Sequence, residues 1–278
     1  MSDTEADTEA DRIELLREIG ISPVWRLRDG EARAVAEHVD EKTAAVVHRV
    51  TGTPDPAAAE LPRPPSQPAS QPAPVADARP SSGDVATMDW PALKSCVADC
   101  RACALHKDRN RTVFGVGDEA ADWLFVGEGP GAEEDRAGEP FVGQAGKLLD
   151  NMLDAIRLRR GDNVYIANIV KCRPPGNRNP QAEEAVACAP YLARQIALIK
   201  PRLIVALGKV AAVNLLGRDA SISSLRGTVH DYQGTPLIVT YHPAYLLRTL
   251  PDKAKAWEDL CFAVETMASL CAERPGAD

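Results

Sequence analysis

The residues best suited to chemistry in this 278-residue chain are its cysteines and a few isolated polar side chains in Gly- and Pro-marked turns. Seven cysteines are present: Cys96, Cys100, Cys103, Cys172, Cys188, Cys261 and Cys271. An odd count in a chain that reads as intracellular points to metal binding before disulfides. Cys100-Arg-Ala-Cys103 is a tight pair, and Cys172 and Cys188 form a second, wider one. Four thiolates can hold a zinc ion or an iron–sulfur cluster. Spacing leaves both open, with the wide second pair on the side of a cluster. Cys96 could stand in for Cys100. Cys261 and Cys271 lie in or just after the C-terminal helix and read as core or surface thiols.

The other candidates are Glu128 and Glu134, around the turn Gly127-Glu128-Gly129-Pro130-Gly131, together with Asn168 and His242. Two nearby carboxylates suit acid–base work or stabilisation of a cation. An asparagine offers both a donor and an acceptor to a ligand. A histidine can donate a hydrogen bond while neutral. Each residue alone also has a plain reading: carboxylates at a helix N-terminus, a loop-capping Asn, a His-Pro turn.

Such residues need a scaffold. Trp123–Gly127, Val164–Val170, Leu203–Leu207 and Leu237–Thr240 are short apolar runs that read as strands. Between and after them, Phe141–Leu158, Pro180–Ile199, Lys209–Leu216 and Asp252–Leu270 read as helices, the second with Pro180 early and Glu183 and Glu184 in its first turns. Alternation of this kind predicts a three-layer α/β/α fold around a mainly parallel four-stranded sheet. Ligands of such folds sit at the carboxyl ends of the strands. Residues 127–131, 168–178 and 240–245 all fall there, so three loops should converge on one crevice.

The formal charge of −8 looks wrong for a polyanion partner, but it is unevenly spread. Residues 1–84 hold 16 acidic and 9 basic side chains, net −7, which leaves the rest of the chain near neutral. Basic groups cluster locally there: Lys107/Arg109/Arg111, Lys171/Arg173/Arg178 and Arg248/Lys253/Lys255. Local patches, not total charge, meet phosphates. Residues 1–50 carry a loose helical pattern and read as a poorly ordered N-terminal segment. Residues 51–84, rich in Pro, Ala, Ser and Gln, read as a disordered linker before a catalytic domain over 85–278. The acidic N-terminus has no apolar segment of a secretory signal, and no run of about 18 apolar residues occurs, so a cytoplasmic, monomeric protein with no membrane partner is expected.

Three segments, in order, resemble the motifs of the uracil-DNA glycosylase superfamily in its family 4, iron–sulfur form. They are Gly127-Glu128-Gly129-Pro130-Gly131-Ala132-Glu133-Glu134-Asp135, Tyr165-Ile166-Ala167-Asn168-Ile169-Val170-Lys171-Cys172-Arg173-Pro174-Pro175 and His242-Pro243-Ala244-Tyr245. The resemblance covers about residues 95–265. It implies a monofunctional hydrolase that flips uracil from single- or double-stranded DNA and cleaves its N-glycosidic bond in base excision repair. It also implies a [4Fe–4S] cluster on Cys100, Cys103, Cys172 and Cys188. Glu128, Glu134 and His242 would be catalytic, with no division of roles between the two glutamates, because Gly129 stands where better-known relatives carry an Asp. Gly129, Phe141, Asn168 and Asn177 would bind the flipped nucleotide. Arg178, Leu246, Leu247 and Arg248 would contact DNA, the leucines as a wedge filling the vacated stack. Lys171 is the single lysine within the three motifs. A broader deaminated-base glycosylase (hypoxanthine or xanthine) and a non-catalytic, metal-bearing DNA-binding module are the alternatives. Residues 1–84 could tether a replication or repair partner.

Overall fold

A computed structural model describes residues 82–272. The readings for residues 1–81, an N-terminal segment and most of the linker, lie outside the described residues. Residues 82–84, assigned to the linker by composition, begin a helical turn, Ser82–Val85, whose Val85 is buried in the core.

Six strands form one sheet: β1 (Val116–Gly117), β2 (Trp123–Gly127), β3 (Val164–Asn168), β4 (Leu203–Leu207), β5 (His230–Tyr232) and β6 (Thr235–Thr240), in the order β1-β3-β2-β4-β6-β5. β3, β2, β4 and β6 run parallel, and these are the four strands read from the sequence. β1 and β5 add a short antiparallel strand at each edge. Their two and three residues are too few to carry an alternating pattern, so the sequence gives no strand signal there.

The central strands are buried throughout, and apolar but for Asn168 at the end of β3, because they are covered on both faces. Alternate residues divide between two cores. Leu124, Val126, Tyr165, Ala167, Ile204, Ala206, Leu237 and Val239 face α1 (Trp90–Ala98), α4 (Ala182–Ile199) and α5 (Lys209–Leu216). Trp123, Phe125, Val164, Ile166, Leu203, Val205 and Ile238 face α3 (Gln144–Ala155) and α6 (Asp252–Ala272). The result is the expected α/β/α sandwich. No described helix is long and apolar enough to cross a membrane.

Two boundaries differ from the sequence reading in ways that shape the site. The helix expected from Phe141 starts at Gln144, because Phe141 adopts a left-handed backbone with φ 55°. The strand expected through Val170 ends at Asn168. Beyond it the chain follows the loop of β2, with Ile169 N–H donating to Gly127 O and Val170 N–H to Glu128 O. The short helix α2 (Ala132–Ala137) follows β2. Its Asp135 is buried and accepts hydrogen bonds from the backbone N–H and side-chain amide of Asn110, at 2.9 and 2.5 Å. This carboxylate ties α2 to the segment before β1. Asp135→Ala leaves those donors unpaired and should lower folding stability by about 2–4 kcal/mol, read as a lower midpoint in urea.

Candidate active site

Strand ends β2, β3, β4 and β6 open into one cleft of about 500 Å³. Glu128, Gly129, Gly131, Glu134, Phe141, Asn168, Asn177, Arg178, His242 and Arg248 all line it. Nine of the eleven residues named from sequence for catalysis, base binding or DNA contact therefore converge. The exceptions are Leu246 and Leu247, which lie in and just after the helical turn Pro243–Leu246. Leu246 is 1% exposed and packs with Met152, Tyr241 and Leu260, so it has no face to offer DNA, whereas Leu247 is 42% exposed.

The backbone of the cleft is held by one side chain. Glu134 Oε2 accepts from Gly131 N–H at 3.0 Å, and Oε1 accepts from the N–H groups of Val142 and Gly143, each at 3.0 Å. The carboxylate thus joins the loop after β2 to the segment before α3. Between the two lies Phe141, whose strained backbone is pinned from outside. Arg160 donates to Pro140 O and Phe141 O, both at 2.8 Å, and is itself paired with Asp150. A non-glycine residue in this region costs about 1–3 kcal/mol unless its surroundings enforce it. Arg160 and Asp150 supply that enforcement. Neither was found from sequence, since both lie between the motifs and in no periodic pattern.

The Phe141 ring packs against the His242 ring, with centroids 5.5 Å apart. Gly127 lets the pocket close around it: a Cβ there would lie 2.5 Å from both Phe141 Cζ and Asn168 Oδ1. Gly208, at φ 91°, gives His242 the same clearance, as a Cβ would lie 2.8 Å from His242 Cβ.

Asn168 is buried at the end of β3, and its Oδ1 is the one buried side-chain polar atom among the described residues with no hydrogen-bond partner. His242 Nδ1 accepts from Ala244 N–H at 3.1 Å. That bond fixes the neutral tautomer with hydrogen on Nε2. Burial, aided by the nearby Arg248 and opposed by Glu134, pulls the His242 pKa down to about 4. The two carboxylates are in opposite states. Glu134 is saturated with backbone donors. Glu128 makes no side-chain hydrogen bond or ion pair with any described residue, and burial pushes its pKa up.

The basic groups are less available than the sequence suggested. Lys171 is buried. Arg178 is bidentate to Glu184, at 2.8 and 2.7 Å, and Arg173 donates to Asn177 Oδ1. Arg109 donates to Cys172 Sγ at 3.1 Å. Arg248 lines the cleft and has no ion-pair partner among the described residues. Lys209 also lines it, paired with exposed Asp219. It lies outside the motifs, and sequence reasoning did not single it out.

Next to the cleft, Cys100, Cys103, Cys172 and Cys188 line a second, smaller cavity with His106, Arg109, Lys171 and Tyr191. Hydrogen-bond donors are aimed at these sulfurs. Besides Arg109, Tyr191 O–H points at Cys100 Sγ (3.3 Å) and Lys171 N–H at Cys188 Sγ (3.3 Å). Among the described residues, no three His, Cys, Asp or Glu side chains are grouped as a site for a single metal ion. Cys96 does not line this cavity, and Cys261 and Cys271 lie on α6.

Residues 114–261 match the family model of the uracil DNA glycosylase superfamily. The chain belongs to that superfamily. It is 45% identical over 183 residues to a type-4 uracil-DNA glycosylase of Pyrobaculum aerophilum, covering 62% of this chain and 92% of the relative. It is 49% identical over 161 residues to the type-4 enzyme of Thermotoga maritima, covering 57% and 83%. A type-5 uracil-DNA glycosylase of Thermus thermophilus is 34% identical over 155 residues, covering 48% and 68%. The similarity places the chain in the type-4 branch of the superfamily.

The geometry of His242 makes a pH prediction. Its folded pKa lies below the usual 6.5, so between about pH 6.5 and 4 the unfolded chain takes up a proton that the folded chain does not. Stability contributed by the neutral imidazole is therefore full above pH 6.5 and is lost as pH falls towards 4. Long-range ¹H–¹⁵N spectra should show His242 as the neutral Nε2–H tautomer at pH 6. A titration near 6.5 would contradict the assignment.

Proposed function

We propose that this chain excises uracil from DNA by hydrolysing the N-glycosidic bond, leaving an abasic site. The observation that carries the reading is the unpartnered, buried Oδ1 of Asn168 in a cleft shaped by Phe141 and His242. A buried acceptor left unpaired costs about 1–3 kcal/mol, and the bound ligand can recover it. Uracil fits, because its N3–H donates to Oδ1 while its O4 accepts from the amide nitrogen. Cytosine carries an acceptor at N3 and donors at N4, so it mismatches both. The named activity of the type-4 relatives supports the same reading.

The residues then divide the work. Phe141 gives the flipped ring a stacking face. As the bond from N1 to C1′ breaks, its electron pair passes into the uracil ring and the sugar becomes oxocarbenium-like. His242 Nε2–H donates to the oxyanion developing at O2, and does so as a neutral imidazole. The free carboxylate of Glu128 offsets the sugar cation and orients the water. It accepts the water's proton as oxygen bonds to C1′. Glu134 keeps the surrounding N–H groups in register. Gly129 leaves backbone open to the uracil or the water, and Asn177 faces the sugar–phosphate. Arg248 meets a phosphate, with Arg178 ordering its loop through Glu184, and Leu247 fills the gap in the stack. These contacts offset the few kcal/mol that flipping costs.

The four cysteines suit a [4Fe–4S] cluster better than zinc. One zinc ion draws four sulfurs to about 2.3 Å from a single point, whereas a cluster keeps them further apart and uses hydrogen bonds to its sulfurs. Held by Cys100, Cys103, Cys172 and Cys188, the cluster would tie the segment after α1 to the loop after β3 and to α4, and supply structure rather than a reaction step. Anaerobically purified protein should be brown with about four iron atoms per chain. Colourless protein with one zinc would refute the cluster.

The decisive assay is alkali cleavage of a labelled oligonucleotide with one uracil. Wild type should cleave it and leave a thymine control intact, without a borohydride-trapped adduct. Glu128→Gln should lose about 10²- to 10⁴-fold in rate with unchanged stability. Glu134→Gln should lose stability as well, about 1–3 kcal/mol, because one amide oxygen cannot serve three backbone donors. Asn168→Ala should excise poorly at full stability. Equal behaviour of all three variants and wild type would sink the assignment.

A further inference from the structure

Lys171 is 1% exposed, and burying an ammonium group costs free energy that an apolar side chain of similar shape would not. Its partners give that expense a purpose. Nζ donates to Gln195 Oε1 at 2.6 Å and to the backbone carbonyl of Asn168 at 3.0 Å. Gln195 is fixed in turn, donating from Nε2 to Phe114 O at 3.0 Å and Tyr165 Oη at 3.4 Å. At its own backbone, Lys171 donates to Cys188 Sγ at 3.3 Å and accepts from Val113 N–H at 2.8 Å. Cys172 is the next residue in the chain. One residue thus touches a cysteine of the proposed cluster site and the cleft-lining Asn168, whose buried Oδ1 has no hydrogen-bond partner.

The strand end at Asn168 needs this support. On one side, Ile169 and Val170 N–H groups pair with Gly127 and Glu128 carbonyls. Lys171 Nζ holds the Asn168 carbonyl. Without it, the peptide after Asn168 keeps only the Ile169 N–H bond to Gly127 O and can tilt about that bond, shifting the side-chain amide. A shift of about 1 Å at a recognition group can cost on the order of 10²-fold in rate.

We propose that Lys171 is a positioning residue: it holds Asn168 in register for the base and couples the cysteine site to base recognition rather than to DNA binding. The proposal rests on the reading that the cleft takes uracil. Disturbance at Cys172 or Cys188 would reach the pocket through Lys171, while Arg248 and Leu247, assigned to a phosphate and to the vacated stack, lie on a separate turn after β6, and Asn177 and Arg178 on the Cys172 loop are held by Arg173 and Glu184.

The test uses full-length protein purified anaerobically, as wild type, Lys171→Met, Asn168→Ala and the double variant. Wild-type excision is measured first, because its absence would overturn the uracil reading itself. Given excision, Lys171→Met should keep wild-type iron content. It should bind DNA carrying a tetrahydrofuran abasic analogue within about threefold of wild type. Its inhibition constant for free uracil should rise, and its kcat fall, by at least about tenfold. The double variant should be no slower than Asn168→Ala alone by more than about twofold, since the lysine acts through the asparagine. Unchanged uracil inhibition in Lys171→Met, losses that multiply in the double variant, or a parallel loss of abasic-DNA binding would each overturn the proposal. If Lys171→Met does not accumulate as folded protein, Lys171→Gln takes its place in the same assays. Failure of both to fold with iron would also overturn it, because the lysine would then serve the fold and not the pocket.

Discussion

The cleft depends on a carboxylate that takes no part in the proposed proton transfers. Glu134 reaches backwards to Gly131 and forwards to Val142 and Gly143, so two loops that share no strand pairing become one rigid rim. Three N–H groups at or just before the starts of α2 and α3 are satisfied at once. The rim in turn permits the left-handed Phe141, with Arg160 holding its carbonyl from outside. Phe141 then sets the position of the His242 ring.

Environment separates groups of the same chemical type. Glu128 and Glu134 sit six positions apart around one turn and line one cleft, but backbone donors saturate one and leave the other bare and desolvated. Similarly, burial and the Ala244 N–H make His242 a neutral donor instead of a cation. A pocket that must steady an anion on the base and a cation on the sugar gains from this arrangement. Neither partner is neutralised by the other before substrate arrives.

Much of this was legible in the sequence. The four parallel strands are apolar runs, and the motif-bearing loops fall at their carboxyl ends, so convergence followed from topology alone. Illegible features were those decided by tertiary contacts. Leu246 and Leu247 are neighbours of identical type, and only the packing of one helical turn against Tyr241 and Leu260 separates the buried residue from the exposed one. Lys171 and Arg178 read as surface cations, but each has an internal acceptor far from it in pattern, if not in sequence: Gln195 for one and Glu184 for the other. Arg160 carries no motif, and its role exists only because Phe141 is strained. The roles of Glu128 and Glu134 were inseparable until their hydrogen bonds were known.

The sheet's edges have a consequence of their own. The parallel strands end on either side in antiparallel pieces of two and three residues, β1 interrupted by Gly117 at φ 136° and β5 folded back through the tight turn Gln233-Gly234. Such stubs offer another chain only a ladder bond or two before the backbone turns away. The four long apolar strands, the most aggregation-prone material in the molecule, are thereby closed to edge-to-edge growth. Copies crowded along a single polymer can thus pass close to one another without templating a shared sheet.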